Sequence, residues 1–253
     1  MTDMPNFPFY AGTSGLMLPV PNKQFYPEEF KDKSRLTYYA SMFNSIEINS
    51  SFYKIPLAST VRNWALQVPD DFKFTFKLWR EISHNKGLVF NPDDVRKFVE
   101  VIDNIGDKKG ALLVQFPPSL KAIMLPQLES LLVAIAAADP DKHWNLALEF
   151  RHDSWYEDAL FELIEQFGCE IVRHDKPGSA PGIPESDSTF KYLRFHGPQG
   201  NYRGTYEDDF LYESGEQVQD WIAEGKTVYA YFNNTMGEAI KNLNLLNAAA
   251  NPV

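Results

Sequence analysis

Two hydrophobic periods alternate along the chain. Short runs in which every second residue is large and apolar are typical of β-strands, whereas longer segments with apolar residues three and four positions apart are typical of amphipathic helices. The first pattern predicts eight strands, at residues 8–12, 44–49, 73–77, 111–116, 145–150, 170–174, 190–196 and 227–232. The second predicts seven helices, at residues 34–43, 59–67, 92–104, 123–138, 155–167, 210–223 and 235–249.

The order of these elements predicts the fold. Every strand except the sixth is followed by a helix, and this alternation over about 250 residues is what a parallel (β/α)8 TIM barrel requires. The sequence therefore predicts a single α/β domain, a TIM barrel over residues 1–253 with elaborated βα loops. A loop rich in Pro, Gly and Ser, residues 175–189, is expected to replace the sixth helix. With the long segments 13–33 and 197–209, it lies on the face where such barrels build their sites.

The composition narrows the setting in which the protein works. No run of about 18 apolar residues is present, so no membrane span is expected, and the first residues lack the features of a signal peptide. The one cysteine, Cys169, cannot form an internal disulfide and is expected to be a buried, inert thiol. These observations predict a cytoplasmic protein. The formal net charge of −10 disfavours broad electrostatic attachment to nucleic acid or to an anionic membrane.

Five predicted strands carry charged residues at or near their C-terminal ends. Side chains of a strand alternate between two faces, so one face is apolar while the other can carry six ionisable side chains: Glu47, Lys77, Glu149, Arg151, Arg194 and His196. Burying that many charges is costly unless they pair with one another or bind something. We therefore expect a functional site at the C-terminal ends of the strands.

Cations outnumber carboxylates in this set. Lys77, Arg151 and Arg194 stand against Glu47 and Glu149, which gives 3 − 2 = +1 before any histidine is protonated. A locally positive pocket in an acidic protein predicts an anionic ligand, such as a carboxylate or phosphate, which the two arginines would hold by two-point contacts. The alternative is a closed ion network with no donor left for a ligand.

The carboxylates indicate acid–base chemistry. Glu149 is predicted to give or take a proton with His196 as its partner, because histidine titrates near neutrality. Glu47 and Lys77 would complete the catalytic centre. The competing interpretation is that each glutamate only neutralises a neighbouring cation, as buried Glu–Arg pairs do in many scaffolds.

Further side chains near the strand ends are candidates for binding a substrate: Asn49, His84, Gln115, Tyr231 and Asn233. A metal site could be drawn from His174, Asp175, His196 and Glu149. However, no ligand pair has a close spacing such as H-x-x-x-H, and three nearby cations would repel the ion. We therefore predict neither a metal nor another cofactor.

Several blocks of sequence, in order from residue 10 to the C-terminus, resemble a known family. They are Gly12-Thr13-Ser14-Gly15, Phe25-Tyr26-Pro27, Glu47-Ile48-Asn49-Ser50-Ser51-Phe52-Tyr53, Gln115-Phe116-Pro117-Pro118-Ser119, Glu149-Phe150-Arg151-His152-Asp153-Ser154-Trp155, Leu193-Arg194-Phe195-His196-Gly197 and Tyr231-Phe232-Asn233-Asn234. These blocks are similar to the YecE-like family. The resemblance implies a TIM barrel and supplies no established reaction. Leu16 stands where the family pattern has a tryptophan, and His174 is not a position of that pattern.

The leading hypothesis is a cytoplasmic enzyme that isomerises, cleaves or hydrolyses a small polar anion, such as a sugar phosphate or sugar acid, without a cofactor. Two alternatives stay open. A nucleic-acid-processing enzyme could take a strand or a flipped base into the same mouth, and a non-catalytic protein could bind a metabolite there. Salt-sensitive binding to oligonucleotides would favour the first alternative, and stabilisation by a ligand without product formation would favour the second.

Overall fold

Parallel strands that are covered on both faces consist of short, mostly apolar runs, and the structure forms its strands at these runs. The computed structural model describes residues 8–176 and 183–251. Its strands are β1 Phe9–Thr13, β2 Ser45–Ile48, β3 Lys73–Lys77, β4 Lys109–Gln115, β5 Asn145–Glu149, β6 Glu170–Ile171, β7 Arg173–His174, β8 Phe190–Phe195 and β9 Thr227–Phe232. The predicted strands are confirmed within two residues at each end, and the sixth is divided at Val172.

The strands form two parallel sheets that are joined to each other at both edges. One sheet has the order β2-β3-β4-β5-β6 and the other the order β1-β9-β8-β7. At one junction Ser14 bridges to Glu47, and the Gly15 N–H donates to the Glu47 carbonyl oxygen at 2.8 Å. At the other, the Val172 N–H donates to the carbonyl oxygen of Leu148 in β5 at 2.9 Å. The result is an α/β fold that is TIM-barrel-like.

Helices connect the strands where the sequence carries start and stop signals. They are α1 Arg35–Ala40, α2 Ser50–Tyr53, α3 Ala58–Ala65, α4 Arg80–Ser83, α5 Pro92–Ile102, α6 Leu125–Ala138, α7 Asp158–Phe167, α8 Asp208–Ala223 and α9 Ala239–Ala250. Ser34 caps α1 by accepting the Thr37 N–H at 3.0 Å. Pro92 occupies the first turn of α5, where no N–H is needed. Gly168 ends α7 with φ +68°, a conformation that glycine adopts without strain.

The helices differ from the prediction at several ends: α1 ends at Ala40 rather than at residue 43, and α7 begins at Asp158 rather than at residue 155. The last helix begins at Ala239 rather than at residue 235, after a turn in which a Cβ on Gly237 would collide with the Gly204 carbonyl oxygen. The one-turn helices α2 and α4 were not predicted, because four residues are too few to show a helical period. In the segment expected to replace the sixth helix, residues 183–189 contain neither helix nor strand. Residues 177–182 of that segment lie outside the described residues.

Apolar side chains fill two regions on either side of the strands. Between strands and helices lies the larger cluster, which includes the fully buried rings of Phe74 and Phe76. A smaller cluster lies on the opposite, inner face of the strands and includes Leu113, Val172 and Tyr192. Burying such side chains stabilises the fold by about 1.5–3 kcal/mol each. The inner cluster supports the charged residues at the strand ends from below.

Two predictions drawn from composition can be compared with the structure. Within the described residues, no helix combines the length and the hydropathy needed to cross a bilayer. Cys169 is a buried free thiol, and burial raises its pKa to about 12. A thiol with so little thiolate at neutral pH is unreactive, as the sequence analysis expected.

Candidate active site

The charged residues at the strand ends form two layers. The inner layer consists of Glu47, Glu149 and Arg194, which lie on β2, β5 and β8 and are fully enclosed by protein. The outer layer consists of half-buried polar residues at the strand ends: Asn49, Lys77, Gln115 and Arg151. Asn49 and Arg151 lie two residues beyond Glu47 and Glu149. The predicted convergence of these side chains on one region of the fold is therefore present.

Arg194 holds the inner layer together and has no donor left. An arginine has five N–H bonds, and each of those in Arg194 reaches an acceptor. Nε and Nη2 donate to the two oxygens of Glu47, at 3.0 and 2.7 Å, and Nη1 donates to Glu149 Oε2 at 2.5 Å. The other two bonds reach Ser14 Oγ and His196 Nε2, both at 3.3 Å. The structure therefore leaves Arg194 no N–H for the substrate anion that the sequence analysis assigned to it.

The two glutamates of the inner layer are held in their charged form. Burial opposes the charge of each carboxylate, but the Arg194 guanidinium outweighs burial and lowers the pKa of Glu47. The same balance, with Arg151 as a second cation, lowers the pKa of Glu149 well below its usual value. Neither glutamate carries a proton to donate at neutral pH, and both act as fixed negative charges.

Arg151 belongs to the outer layer and contacts the inner layer directly. Its Nη2 forms an ion pair with Glu149 Oε1, not aligned as a hydrogen bond, and lies 3.0 Å from His196 Nε2. The side chain is only 10% exposed, and its Nε is buried without a hydrogen-bond partner among the described residues. Arg151 thus differs from Arg194, because it keeps an unused donor.

His196 lies between the two arginines as a neutral acceptor. Guanidinium groups only donate, so Nε2 must accept from Arg151 and Arg194. Nδ1 must then carry the proton, which it donates to Asp175 Oδ1 at 3.1 Å. Burial lowers the pKa of His196 to about 4, although Asp175 acts in the opposite direction. His196 is therefore uncharged at neutral pH with both ring nitrogens occupied, an arrangement that disfavours the proton-transfer role predicted for it.

Among the residues of the outer layer, Lys77 is the one whose surroundings disfavour its charged form. It ends β3, where its Nζ donates to Gln115 Oε1 at 2.8 Å and lies 4.3 Å from the centre of the Phe52 ring. Burial, reinforced by the positive charge of Arg194, lowers the pKa of Lys77 to about 8. The amine therefore exists in both protonation states close to neutral pH.

His84 is connected to the outer layer through Phe52, the ring that also contacts Lys77. It follows α4, packs edge-on against the Phe52 ring at 4.8 Å, and places its Nδ1 2.9 Å from Ser83 Oγ. Burial and the nearby charge of Lys77 lower the pKa of His84 to about 4. This predicted substrate-binding residue is therefore neutral and lies close to the outer layer.

Among the described residues, two further predicted substrate-binding side chains make no hydrogen bond with either layer. Tyr231 is fully buried, and its hydroxyl is paired with Ser45 Oγ at 2.6 Å and with Thr75 Oγ1 at 2.8 Å. The strand alternation placed Tyr231 on the correct face, but that face continues below the site into the core. Asn233 is half-buried after β9, and within residues 8–176 and 183–251 its side chain makes no hydrogen bond.

Three partners of the charged residues had no such role in the sequence analysis. Tyr192 donates its hydroxyl to Glu47 Oε2 at 2.6 Å, and Ser14 donates to Glu47 Oε1. Asp175 Oδ1 accepts the backbone N–H of His196 at 2.8 Å, in addition to the proton of the His196 imidazole. Tyr192 stands two residues before Arg194, so strand alternation could have identified it. Ser14 and Asp175 directly follow strands, where no period applies.

The residues considered for a metal are arranged differently. In the part of the chain that the structure describes, no three His, Cys, Asp or Glu side chains are grouped to hold an ion. A guanidinium nitrogen, Arg194 Nη1, lies between Glu149 Oε2 and His196 Nε2. His174 Nε2 is paired with the Phe150 carbonyl oxygen at 2.9 Å. The absence of a cofactor stays a prediction.

Comparisons with known proteins identify the family of the chain. The chain matches the family described as "Protein of unknown function DUF72" over residues 10–252. It is 27% identical over 249 residues to the UPF0759 protein YunF of Bacillus subtilis (strain 168), covering 84% of each chain. It is 30% identical over 158 residues to the UPF0759 protein YecE of Escherichia coli (strain K12), covering 60% of this chain and 56% of that protein.

Solved structures extend the comparison to the whole fold. The DUF72 family protein TM1631 from Thermotoga maritima MSB8 is 27% identical with a TM-score of 0.79, covering 94% of this chain and 97% of that chain. A D-psicose 3-epimerase crystallised in the presence of D-fructose has a TM-score of 0.55 at 10% identity, over 95% of both chains. That likeness concerns the fold alone. The chain belongs to the DUF72 family, the YecE-like family that its sequence blocks resemble.

Proposed function

We propose that this DUF72 protein is an acid–base enzyme that acts on a small polar anion at the outer layer. Lys77 transfers the proton, and Arg151 holds the anionic group. One arrangement supports the proposal: the Lys77 amine, whose pKa burial lowers to about 8, lies at the end of a parallel strand, and Arg151 at another strand end has a buried Nε with no acceptor among the described residues.

Lys77 has the properties of a proton-transfer group. General acid–base catalysis is most effective when the pKa of the group lies near the working pH. The Lys77 amine meets this condition, whereas an ordinary lysine would be almost fully protonated. The hydrogen bond to Gln115 Oε1 fixes Nζ, and the Phe52 ring shields one side of the amine from water. The neutral amine can take a proton from a carbon or hydroxyl of the ligand, and the ammonium can return it.

Arg151 has the properties of an anion-binding group. Its guanidinium stays charged at all relevant pH values, and its Nε points to no acceptor in the described chain. A charge-assisted hydrogen bond to an anionic ligand would satisfy this donor. Binding an anion here would also raise the pKa of Lys77, so that the ligand itself adjusts the protonation of the catalytic amine.

The inner layer serves to position these groups. The sequence pattern predicted proton transfer by Glu149 and His196, whereas we now propose that Lys77 transfers the proton. Both oxygens of Glu149 face guanidinium nitrogens, so this carboxylate fixes Arg151 and Arg194 in place. His196 supports the same two arginines through Nε2. Glu47 completes the layer as the second counter-charge of Arg194.

We also propose that the strands close into a complete barrel. The junctions between the two sheets support a closed (β/α)8 arrangement in which residues 1–253 form one domain and a loop replaces the sixth helix. In such barrels, sites lie at the C-terminal ends of the strands, which is where the outer layer is found. We expect the substrate to be a metabolite of the cytoplasm, such as a sugar acid or sugar phosphate, and the reaction to need no cofactor.

Deuterium exchange tests the proposal for every reaction in which Lys77 takes a proton from carbon, and conversion of the same compounds would be followed for the others. The protein would be incubated in D₂O with a panel of sugar acids and sugar phosphates, and proton NMR would follow the loss of carbon-bound protons. We expect exchange on at least one compound, with a rate that rises with pH through about 8 as the Lys77 amine becomes neutral. Lys77→Met should lower the rate by about 100-fold or more, whereas the exposed control Lys97→Met should not change it.

Other outcomes would favour the alternatives. Thermal stabilisation by a compound that shows neither exchange nor conversion would indicate a non-catalytic metabolite-binding protein. Salt-sensitive binding of a single-stranded oligonucleotide in place of small anions would indicate a nucleic-acid enzyme. Exchange that is equally fast in wild type and in Lys77→Met would contradict the assignment of the catalytic residue.

A further inference from the structure

Two buried polar atoms of the outer layer have no hydrogen-bond partner among residues 8–176 and 183–251. They are Asn49 Oδ1, an acceptor, and Arg151 Nε, a donor. Buried polar atoms are nearly always paired in folded proteins, because an unpaired one costs about 1–3 kcal/mol. Two such atoms of opposite type in one outer layer indicate groups that a bound molecule is meant to satisfy.

The fold brings the residues of these two atoms to strand ends that converge. Glu47 and Glu149 both contact the Arg194 guanidinium, so the ends of β2 and β5 converge on one planar group. Asn49 and Arg151 each follow these glutamates by two residues. Asn49 also directly precedes α2, whose Phe52 ring covers the Lys77 amine. The unpaired acceptor and the unpaired donor therefore belong to strand ends that converge on the same guanidinium group, and Asn49 adjoins the helix that contacts the proposed catalytic amine.

The chemistry of these atoms restricts the ligand. Arg151 Nε needs an acceptor, which any carboxylate or phosphate oxygen provides. Asn49 Oδ1 needs a donor, and a plain anion at neutral pH has none. A hydroxyl group donates and accepts, so it satisfies the Asn49 carboxamide in either orientation of its oxygen and nitrogen.

We propose that the ligand is a hydroxylated anion, with its anionic group on Arg151 and a hydroxyl on Asn49. The inference depends on the proposed function, because it uses the same site and names the class of molecule that fits it. Hydroxycarboxylates and hydroxylated alkyl phosphates share this chemistry. Lys77 then faces the carbon skeleton between the two contacts, where proton transfer would occur.

Calorimetric titration with matched probes tests the inference. Succinate, malate and tartrate carry the same two carboxylates with increasing numbers of hydroxyl groups, and propyl phosphate and glycerol 3-phosphate form the corresponding phosphate pair. In at least one series, the hydroxylated member should bind about tenfold more tightly than its parent, the value of one hydrogen bond. The series that binds more tightly identifies the anionic group.

Two variants separate the contacts. Asn49→Leu keeps the branched shape of the side chain and removes the hydrogen-bonding groups, so the preference for hydroxyl groups should fall to about onefold while the parent anion still binds. Asn63→Leu, the same change on the exposed surface of α3, should retain the preference. Arg151→Gln should weaken all members of the series by a similar factor.

The outcomes distinguish this inference from the proposed function. Equal binding of parent and hydroxylated anions, lost together in Arg151→Gln, would overturn the hydroxyl contact and leave the anion site intact. A hydroxyl preference that persists in Asn49→Leu would also overturn it. If none of the probes binds to wild type, both the anion site and the hydroxyl contact are wrong.

Discussion

The inner and outer layers each contain an arginine near the end of a strand, yet the hydrogen bonding of these two arginines differs. In the inner layer all five N–H bonds of Arg194 are occupied, and every carboxylate oxygen faces a guanidinium nitrogen. In the outer layer, Arg151 and Asn49 each have a buried polar atom without a partner among the described residues, and burial lowers the pKa of Lys77 to about 8. Asn49 and Arg151 of the outer layer follow Glu47 and Glu149 of the inner layer by only two residues. Depth in the fold, rather than residue type, divides a structural ion network from a candidate active site.

The largest effect is expected from removing the centre of the inner layer. Arg194→Met leaves two buried carboxylates without their main counter-charge, and breaking a buried pair in this way costs about 3–5 kcal/mol. The free energy of unfolding, measured by urea denaturation, should fall by that amount. Arg194→Lys keeps the charge but cannot fill five acceptors, so its loss should be intermediate.

The matched control is an exposed arginine with two acidic partners. Arg96 pairs with Asp93 at 3.0 Å and with Glu100 at 3.1 Å on the surface of α5. Arg96→Met should leave the unfolding midpoint unchanged, because solvent screens exposed ion pairs. If Arg194→Met and Arg96→Met were equally stable, the inner layer would not be the structural network described above.

The second effect concerns the histidine that lies between the layers. His196 has a pKa of about 4 in the folded protein, against 6.5 for an ordinary histidine. Between these values the unfolded chain binds more protons than the folded protein, so stability must fall as the pH is lowered from 6.5 to 4. The full shift corresponds to about 3 kcal/mol at the acidic end. His84, shifted in the same direction, adds to the slope.

A pH series of urea denaturations would measure this dependence. His196→Asn removes the titrating group, so the loss of stability between pH 6.5 and 4 should become smaller even though the variant is less stable overall. His143→Asn changes a histidine whose side chain is 55% exposed and should keep the wild-type slope. An unchanged slope in His196→Asn would show that the imidazole is not held neutral by its surroundings.

Much of the fold could be predicted because its signals are local. The strand Lys73–Lys77 was predicted at its observed bounds, since alternation of Phe and polar residues is readable from five positions. The one-turn helices were missed because a single turn has no period. The start of α9 was misplaced because Gly237 is held by contact with Gly204, residues that are distant in sequence. Helix boundaries that depend on tertiary contacts cannot be predicted from the local sequence pattern.

For the site, strand alternation predicted which residues meet but not how they share their hydrogen bonds. Glu47, Glu149 and Arg194 were correctly placed together. The pattern could not show that neighbouring side chains accept every N–H of Arg194 but not every N–H of Arg151, because both are arginines at strand ends. It also could not separate the depth of Tyr231 from that of Gln115. Those distinctions depend on which acceptors lie within about 3 Å in three dimensions.

The smallest effect on stability is expected in the outer layer and gives the sharpest contrast. Lys77→Met removes an ammonium group that burial already disfavours, since burial lowers the pKa of Lys77. The thioether can pack against Phe52. The free energy of unfolding should therefore change by less than about 1 kcal/mol. Lys191→Met is the matched change at a fully buried lysine paired with Glu170 at 3.1 Å, and it should cost about 3–5 kcal/mol. Urea denaturation of both variants measures the difference. A loss in Lys77→Met as large as that in Lys191→Met would mean that Lys77 is structural, because a lysine needed for stability would not be the free amine that proton transfer requires.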